Sequence, residues 1–344
     1  MTAPTPVEDG LFMPAEWHRH GACWMAWPCR IETWRERLLP ARVAFAEVAR
    51  VLARFEPVFL VARPQDADQA ALACGADVTV VPLALDDSWS RDFGPTFVTD
   101  GRGGVAGVAW GFNAWGNQFP DYAADAAVAA GLLERLSMRC YAAPLVLEGG
   151  SVHVDGEGTL LTTEQCLLNP NRNPLMSRAE IEASLTAYLG VRRIIWLGQG
   201  LEDDETDGHV DNIACFARPG VVAMHAPADD SSDENARIMA DNRARLSAAR
   251  DAHGRALQIV DLPQPARRDH AGARLPLSYV NFYIANGAVL MPVFDDAADR
   301  QAHGVLARLF PDREVVALPG LEIALGGGNV HCITQQQPAG AALV

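Results

Sequence analysis

The chain has 344 residues, 49% hydrophobic and 21% charged, an ordinary globular balance long enough for a large core, which excludes extended disorder. Its net charge of −15 repels nucleic acid and anionic membrane and attracts cations. All 28 basic residues are arginine, so there is no Schiff-base, P-loop or general-base lysine, and pyridoxal enzymes, P-loop NTPases and kinases are set aside.

Met1–Gly10 carries neither a basic nor an apolar leader region, and no stretch reaches bilayer-spanning length. The seven cysteines, at 23, 29, 74, 140, 166, 215 and 332, form no C-x-x-C pair. An odd number without such pairs argues against a zinc ribbon or a disulfide framework, and the expectation is a cytoplasmic protein with reduced thiols.

Five amphipathic helical stretches are predicted near 34–55, 120–137, 177–189, 233–254 and 296–310. Ser177 ahead of Glu180 and Pro120-Asp121 mark starts, and Gly190 and Gly254 mark stops. After each helix comes a strand-like run, at 58–62, 141–147, 193–197, 257–262 and 314–318. Further strands are read at 107–110, 159–163, 220–225 and 288–293. The order helix, strand, loop, strand returns roughly every 50–60 residues, which suggests a propeller or repeat array. A plain three-layer α/β fold is the alternative.

The loops after the post-helix strands hold the polar residues. In chain order they are Asp86 to Asp92, Glu148-Gly149-Gly150, Glu205 to Asp211, Ser278 to Asn281, and Gly326 to Cys332. In a closed ring these loops would meet on the axis. Cys332, after three glycines, an asparagine and a histidine, reads as a reactive thiol or as a buried structural one. Cys166 and Cys215 lie in apolar runs and read as core. His209 and Asp211, two apart on a presumed strand, would face the same side, either as site residues or as a simple hydrogen-bonded pair. Asp92 beside Arg91 could be a local ion pair, and Glu148 a turn residue. The acidic run Glu202 to Glu205 with Asp207 lacks calcium-loop spacing and reads as a solvated loop. Together, one thiol, one imidazole and three carboxylates suit a planar guanidinium. Carboxylates pair with its fork, a thiolate can attack its carbon, and a histidine can move the protons.

These motifs resemble the agmatine deiminases, within the bacterial-type peptidyl-arginine deiminase group of the guanidine-modifying superfamily. The resemblance spans the chain through Met13 to Trp17, Trp24 to Pro28, Asp87 to Phe97, Leu147 to Ser151, Asp207 to Asn212 and Gly326 to Pro338. It implies a five-bladed pseudo-symmetric α/β propeller (pentein) of ββαβ-type units, with 1–344 a single catalytic domain. It implies Cys332 as nucleophile, His209 as general acid/base, Asp92 and Asp211 gripping the guanidinium, and Glu148 orienting substrate and histidine. Trp89, Glu205 and Asn329 are the implied substrate-binding residues. The implied substrate is agmatine and the product N-carbamoylputrescine, through a covalent Cys332 amidino-thioether, with no metal or organic cofactor. No nucleic-acid or membrane partner is expected, and homo-oligomerisation is left open. One departure, at Glu16 to His20, where the family usually has a proline near Arg19, is expected to bear on the entrance.

Four other readings compete. They are a peptidyl-arginine or free-arginine deiminase, an amidinotransferase, a non-catalytic guanidine- or polyamine-binding protein, and a cysteine protease. The surplus of carboxylates speaks against the last.

Overall fold

A computed structural model describes residues 4–226 and 232–344; Met1 to Ala3, within the stretch Met1–Gly10 read above, lie outside the described residues. Five long helices fall in the five predicted stretches: Leu38–Leu52, Ala123–Arg135, Arg178–Leu189, Glu234–Ala248 and Asp299–Leu309. Arg178–Leu189 shows why. Ser177 and Glu180 form a reciprocal capping box, Ile181, Leu185 and Leu189 bury one stripe, and Gly190 leaves the helix at φ 71°.

Two predicted boundaries need correction. The second helix begins at Ala123, not at Pro120-Asp121. Its free N–H groups at Ala124 and Asp125 are taken by the carboxylate of Asp86, from a distant loop. The fourth helix stops at Ala248, well before Gly254. There the Asp251 carboxylate accepts the backbone N–H groups of His253 and Arg255, at 2.9 and 2.8 Å, and this local turn outcompetes further helix. Gly254, at φ 79°, ends that turn instead. A helix at Ala67–Cys74 and a strand at Val78–Pro82 were not predicted. Only Ala70 and Cys74 of that helix are buried, so its apolar period is faint.

The fold is mixed α/β with several small, separate sheets. Thr96–Thr99 pairs antiparallel with Gly104–Gly111, which pairs parallel with Cys140–Val146. The same antiparallel-then-parallel pattern links His153–Val154, Thr159–Thr163 and Arg193–Leu197. It recurs in Ala214–Arg218, Val221–His225 and Gln258–Leu262, and in Tyr283–Ala285, Ala288–Val293 and Glu314–Pro319. In each case the parallel strand is reached through one long helix, the crossover that a parallel pair requires. A two-stranded ribbon pairs Asp269–His270 with Ala273–Arg274 within the connection 263–282. In the remaining sheet, Gln335–Pro338 comes back to lie antiparallel to His20–Ala26, which is parallel to Val58–Ala62. Val78–Pro82 extends that sheet. The buried apolar side chains accordingly divide into four clusters.

What matters for the site is the connections. The loops 83–95, 147–152, 198–213, 263–282 and 320–334 each run from the last strand of one sheet to the outer strand of the next. They carry Asp92, Glu148, His209 with Asp211, Asn281 and Cys332 respectively.

Candidate active site

Each loop presents its residue from a tight turn. Asp92 lies in the single helical turn Ser90–Phe93, and its carboxylate accepts the Gly150 N–H at 3.1 Å and the Trp115 indole N–H at 2.9 Å. Arg91 is not its ion-pair partner; that side chain donates to the His331 carbonyl and to Gln336. Glu148 precedes the 3-10 turn Gly149–Ser151. His209 and Asp211 share a site, though by a 3-10 turn at Val210–Asn212 and not by a strand.

Cys332, His209, Glu148, Asp92 and Asp211 converge and are all buried. The Cys332 sulphur lies 3.8 Å from Asp211 Oδ2. His209 sits with Nδ1 3.6 Å from Asp92 and Nε2 3.8 Å from Glu148. Such closeness dictates the glycines. A Cβ on Gly150 would stand 2.6 Å from His209 Nδ1, and one on Gly149 would stand 2.1 Å from the Arg91 carbonyl oxygen. On Gly326 and Gly328 a Cβ would lie 2.3 Å from the rings of Trp34 and Trp89. Those two indoles stack at 5.6 Å.

Cys332 and Asp92 reach the wall of a cavity of about 420 Å³, together with Trp89, Trp115 and Glu205. Asn329 stands apart from that wall: its amide donates to the Pro276 carbonyl at 2.9 Å and anchors the glycine loop. The acidic run is the solvated loop expected only in part: Asp203 and Glu205 are exposed. Glu202 pairs with the Arg274 side chain, Asp203 accepts the Arg274 backbone N–H, Asp204 is buried, and Asp207 pairs with Arg172. Arginines from other loops thus offset Glu202 and Asp207. The departure at Glu16 to His20 also lies away from the cavity, with Glu16 and His20 buried.

Electrostatics divide the site. Burial, then the Asp211 and Asp92 carboxylates, push the Cys332 thiol well above its ordinary range. Burial alone would lower His209, yet Asp92, Cys166 and Glu148 hold it well above the usual histidine value. Asp92 is pushed up to about 6 by burial, against the pull of His209. Glu148 stays below its usual value despite burial, held there by His209 and Arg172. At neutral pH the free site therefore holds a thiol, an imidazolium and two firmly ionised carboxylates, Glu148 and Asp211.

The chain matches the Porphyromonas-type peptidyl-arginine deiminase family over residues 12–338. It is 49% identical to the agmatine deiminase of Stutzerimonas stutzeri and 49% identical to that of Pseudomonas aeruginosa, in each case across 97% of both chains. The solved agmatine deiminase of Enterococcus faecalis superposes with a TM-score of 0.95 at 36% identity, covering 98% of this chain and 99% of that one. The chain belongs to this deiminase family. It is a hydrolase of C–N bonds. A cyanobacterial arginine dihydrolase domain, at 14% identity and a TM-score of 0.54, shares the fold alone.

Several side chains that brace this candidate site carried no signal in the sequence on their own. His331 bonds Asp211 through Nδ1 at 2.8 Å and Glu16 through Nε2 at 3.0 Å. Arg172, fully buried at its side chain, donates Nε to Glu148 at 2.9 Å and pairs with Asp207. Asn281 contacts the Cys332 sulphur. His331 and Asn281 sat inside quoted motifs; Arg172 had no signal beyond being polar among asparagines and prolines.

Two side-chain clusters have metal-ligand composition among the described residues, and neither suits a cation. In Glu16, His153 and His331, the His153 Nδ1 accepts the Phe216 backbone N–H, so its Nε2 carries the proton and donates to Glu16. In Glu148, Cys166 and His209, the Arg172 guanidinium already occupies the carboxylate. No helix among the described residues is long and apolar enough to cross a membrane.

Proposed function

We propose that the protein hydrolyses agmatine to N-carbamoylputrescine and ammonia through Cys332. The observation that carries this reading is the convergence of one thiol, one imidazole and three carboxylates from four separate loops, with the thiol on the wall of a single cavity. The names of the bacterial relatives favour agmatine over other guanidines.

In this reading Asp92 and Asp211 grip the guanidinium, which enters as a cation and offsets the charges that hold the thiol protonated. As the cation enters, Cys332 releases its proton to solvent in the cavity, and its thiolate attacks the guanidinium carbon. His209, an imidazolium, gives its proton to the departing nitrogen, and ammonia leaves an amidino-thioether. Neutral His209 then takes a proton from water as the oxygen attacks that carbon. The carbon–sulphur bond breaks, the hydroxyl proton passes to solvent, the ureido product leaves and the thiolate is restored. Glu148, fixed by Arg172, orients His209. Trp89 and Glu205 line the cavity where the aliphatic chain and distal ammonium would lie. Asn329 contributes through its backbone N–H, which faces the Cys332 sulphur, and not through its side chain. The five sheets of three or more strands are, in the same reading, blades of a five-unit α/β ring, with 1–344 one catalytic domain working in the cytoplasm.

Purified protein given agmatine, free arginine or a blocked arginine amide, with Cys332→Ala as control, tests this. Ammonia and ureido product from agmatine, absent in the variant, is the expected result. Turnover of the blocked arginine alone would move the substrate to proteins, and turnover of none of the three would overturn the reading.

A further inference from the structure

Asn281, at the end of the loop 263–282, is fully buried and touches the sulphur of Cys332. The orientation of its amide is decided by its neighbours. One end faces the backbone N–H groups of His331 at 2.9 Å and Cys332 at 3.4 Å. A backbone N–H can only donate, so that end is the carbonyl oxygen. The other end is therefore NH2. It lies 3.3 Å from Cys332 Sγ, 3.0 Å from the Asn212 side-chain oxygen and 3.4 Å from the Asp211 carbonyl. One amide hydrogen serves Asn212, and the other is left for the sulphur and the Asp211 carbonyl.

The remaining surroundings of that sulphur oppose its ionisation. Asp211 and Asp92 face it with negative charge. His209 is turned to Asp92 and Glu148. His331, next to Cys332 in the chain, has both ring nitrogens committed to Asp211 and Glu16. Arg91 meets this segment through its backbone N–H, bonded to the Cys332 carbonyl, and through Nε, bonded to the His331 carbonyl. Among the described residues, the donors that favour the ionised sulphur are the Asn281 side chain and the Asn329 backbone N–H. A cationic donor in that place would repel a guanidinium bound a few ångströms away; a neutral amide stabilises the anion without doing so.

We propose that Asn281 is a catalytic residue whose side-chain N–H holds the Cys332 thiolate, both as it attacks and as it departs from the thioether. This rests on the reading of Cys332 as nucleophile. A thiolate accepts that N–H much more strongly than a neutral thiol, whose own weak hydrogen bond is to Asn281 Oδ1 at 3.5 Å, so removal of the amide hydrogen raises the energy of the thiolate more than that of the thiol.

The test follows alkylation of Cys332 by iodoacetamide against pH in the absence of substrate, read by peptide mass spectrometry so that the exposed Cys140 is scored separately. Asn281→Asp keeps an oxygen for the two backbone N–H groups and removes the donor. Asn281→Ala removes the donor without adding charge, and Asn281→Leu, near in volume and without a donor, replaces it should the alanine protein fail to fold. The expected result is a rise of about one unit in the alkylation midpoint in both kinds of variant. With it should come a fall of about tenfold or more in kcat for agmatine, with KM little changed. Midpoints that overlay the wild type, or a shift in Asn281→Asp alone, would overturn the proposal. Turnover surviving in Cys332→Ala would instead sink the nucleophile reading, while the midpoints would still report on the bond to sulphur.

Discussion

Asp92 illustrates how this site trades folding energy for chemistry. Its carboxyl is raised from 3.8 to about 6, first by burial. A raised carboxyl favours folding when protonated, so that contribution is present below its unfolded value and is lost as pH rises through about 6. At pH 7.5 the protein therefore carries an ionised, buried Asp92 at some expense. Asp92→Asn should raise Tm at that pH by roughly 2–5 °C, as read by thermal denaturation, while abolishing deiminase turnover. The same variant should show no gain at pH 4, where the native carboxyl is already protonated in the fold. At this scale the sequence was legible where a residue type has few other uses. Cys332 after three glycines, and His209 beside Asp211, stood out for that reason. Glu16, Arg172, Asn281 and His331 did not, because their importance lies in what they touch across long chain separations. The bond from His331 to Glu16, for instance, joins opposite ends of the chain.

At the scale of elements, the turns that carry the site are constrained from outside by their own contents. Glu148 reads in the sequence as a turn residue ahead of Gly149 and Gly150, yet neither glycine has a positive φ. Space, and not backbone conformation, requires them: the Arg91 carbonyl and His209 occupy the places where Cβ atoms would be. Gly150→Ala should displace His209 or Asp92 by a few tenths of an ångström or more. Steady-state assay should show kcat reduced about 100-fold, with far-UV circular dichroism unchanged. A wild-type rate in this variant would mean that the imidazole can move without consequence. Helices were legible where capping and an apolar stripe coincide, as at Ser177 to Gly190. They were misjudged where the deciding partner was remote, as with the Asp86 carboxylate at the start of Ala123–Arg135. The same holds for the acidic stretch from Glu202, where Glu202 and Asp207 meet arginines supplied by other loops.

For the whole molecule, the recurrence of helix and strand was legible because each of the five sheets of three or more strands contains an antiparallel pairing and a parallel pairing joined by a crossover helix. The order of sheets in space was not, since nothing in local periodicity says which sheet the last strand joins. Gln335–Pro338 returns to His20–Ala26, and its glutamines tie three segments: Gln335 to the Pro95 carbonyl, Gln336 to Arg91 and Gln337 to the Trp24 indole. That strand immediately follows the loop carrying Cys332. Removing residues 335–344 should therefore leave the first sheet with an open edge and the thiol loop unanchored. Thermal denaturation should show loss of the cooperative transition, or a Tm lowered by 10 °C or more, on the order of 3–5 kcal/mol. A near-native transition would mean that the chain closure contributes little.

The central claim is that Cys332 forms a covalent bond to the guanidinium carbon. The direct measurement is intact-protein and peptide mass spectrometry on protein mixed with agmatine and quenched in acid within the first turnovers. The account predicts an adduct on the peptide bearing Cys332, with the mass of agmatine less ammonia, which disappears as substrate is exhausted. Rapid turnover with no such adduct at any quench time, or an adduct on another residue, would contradict it.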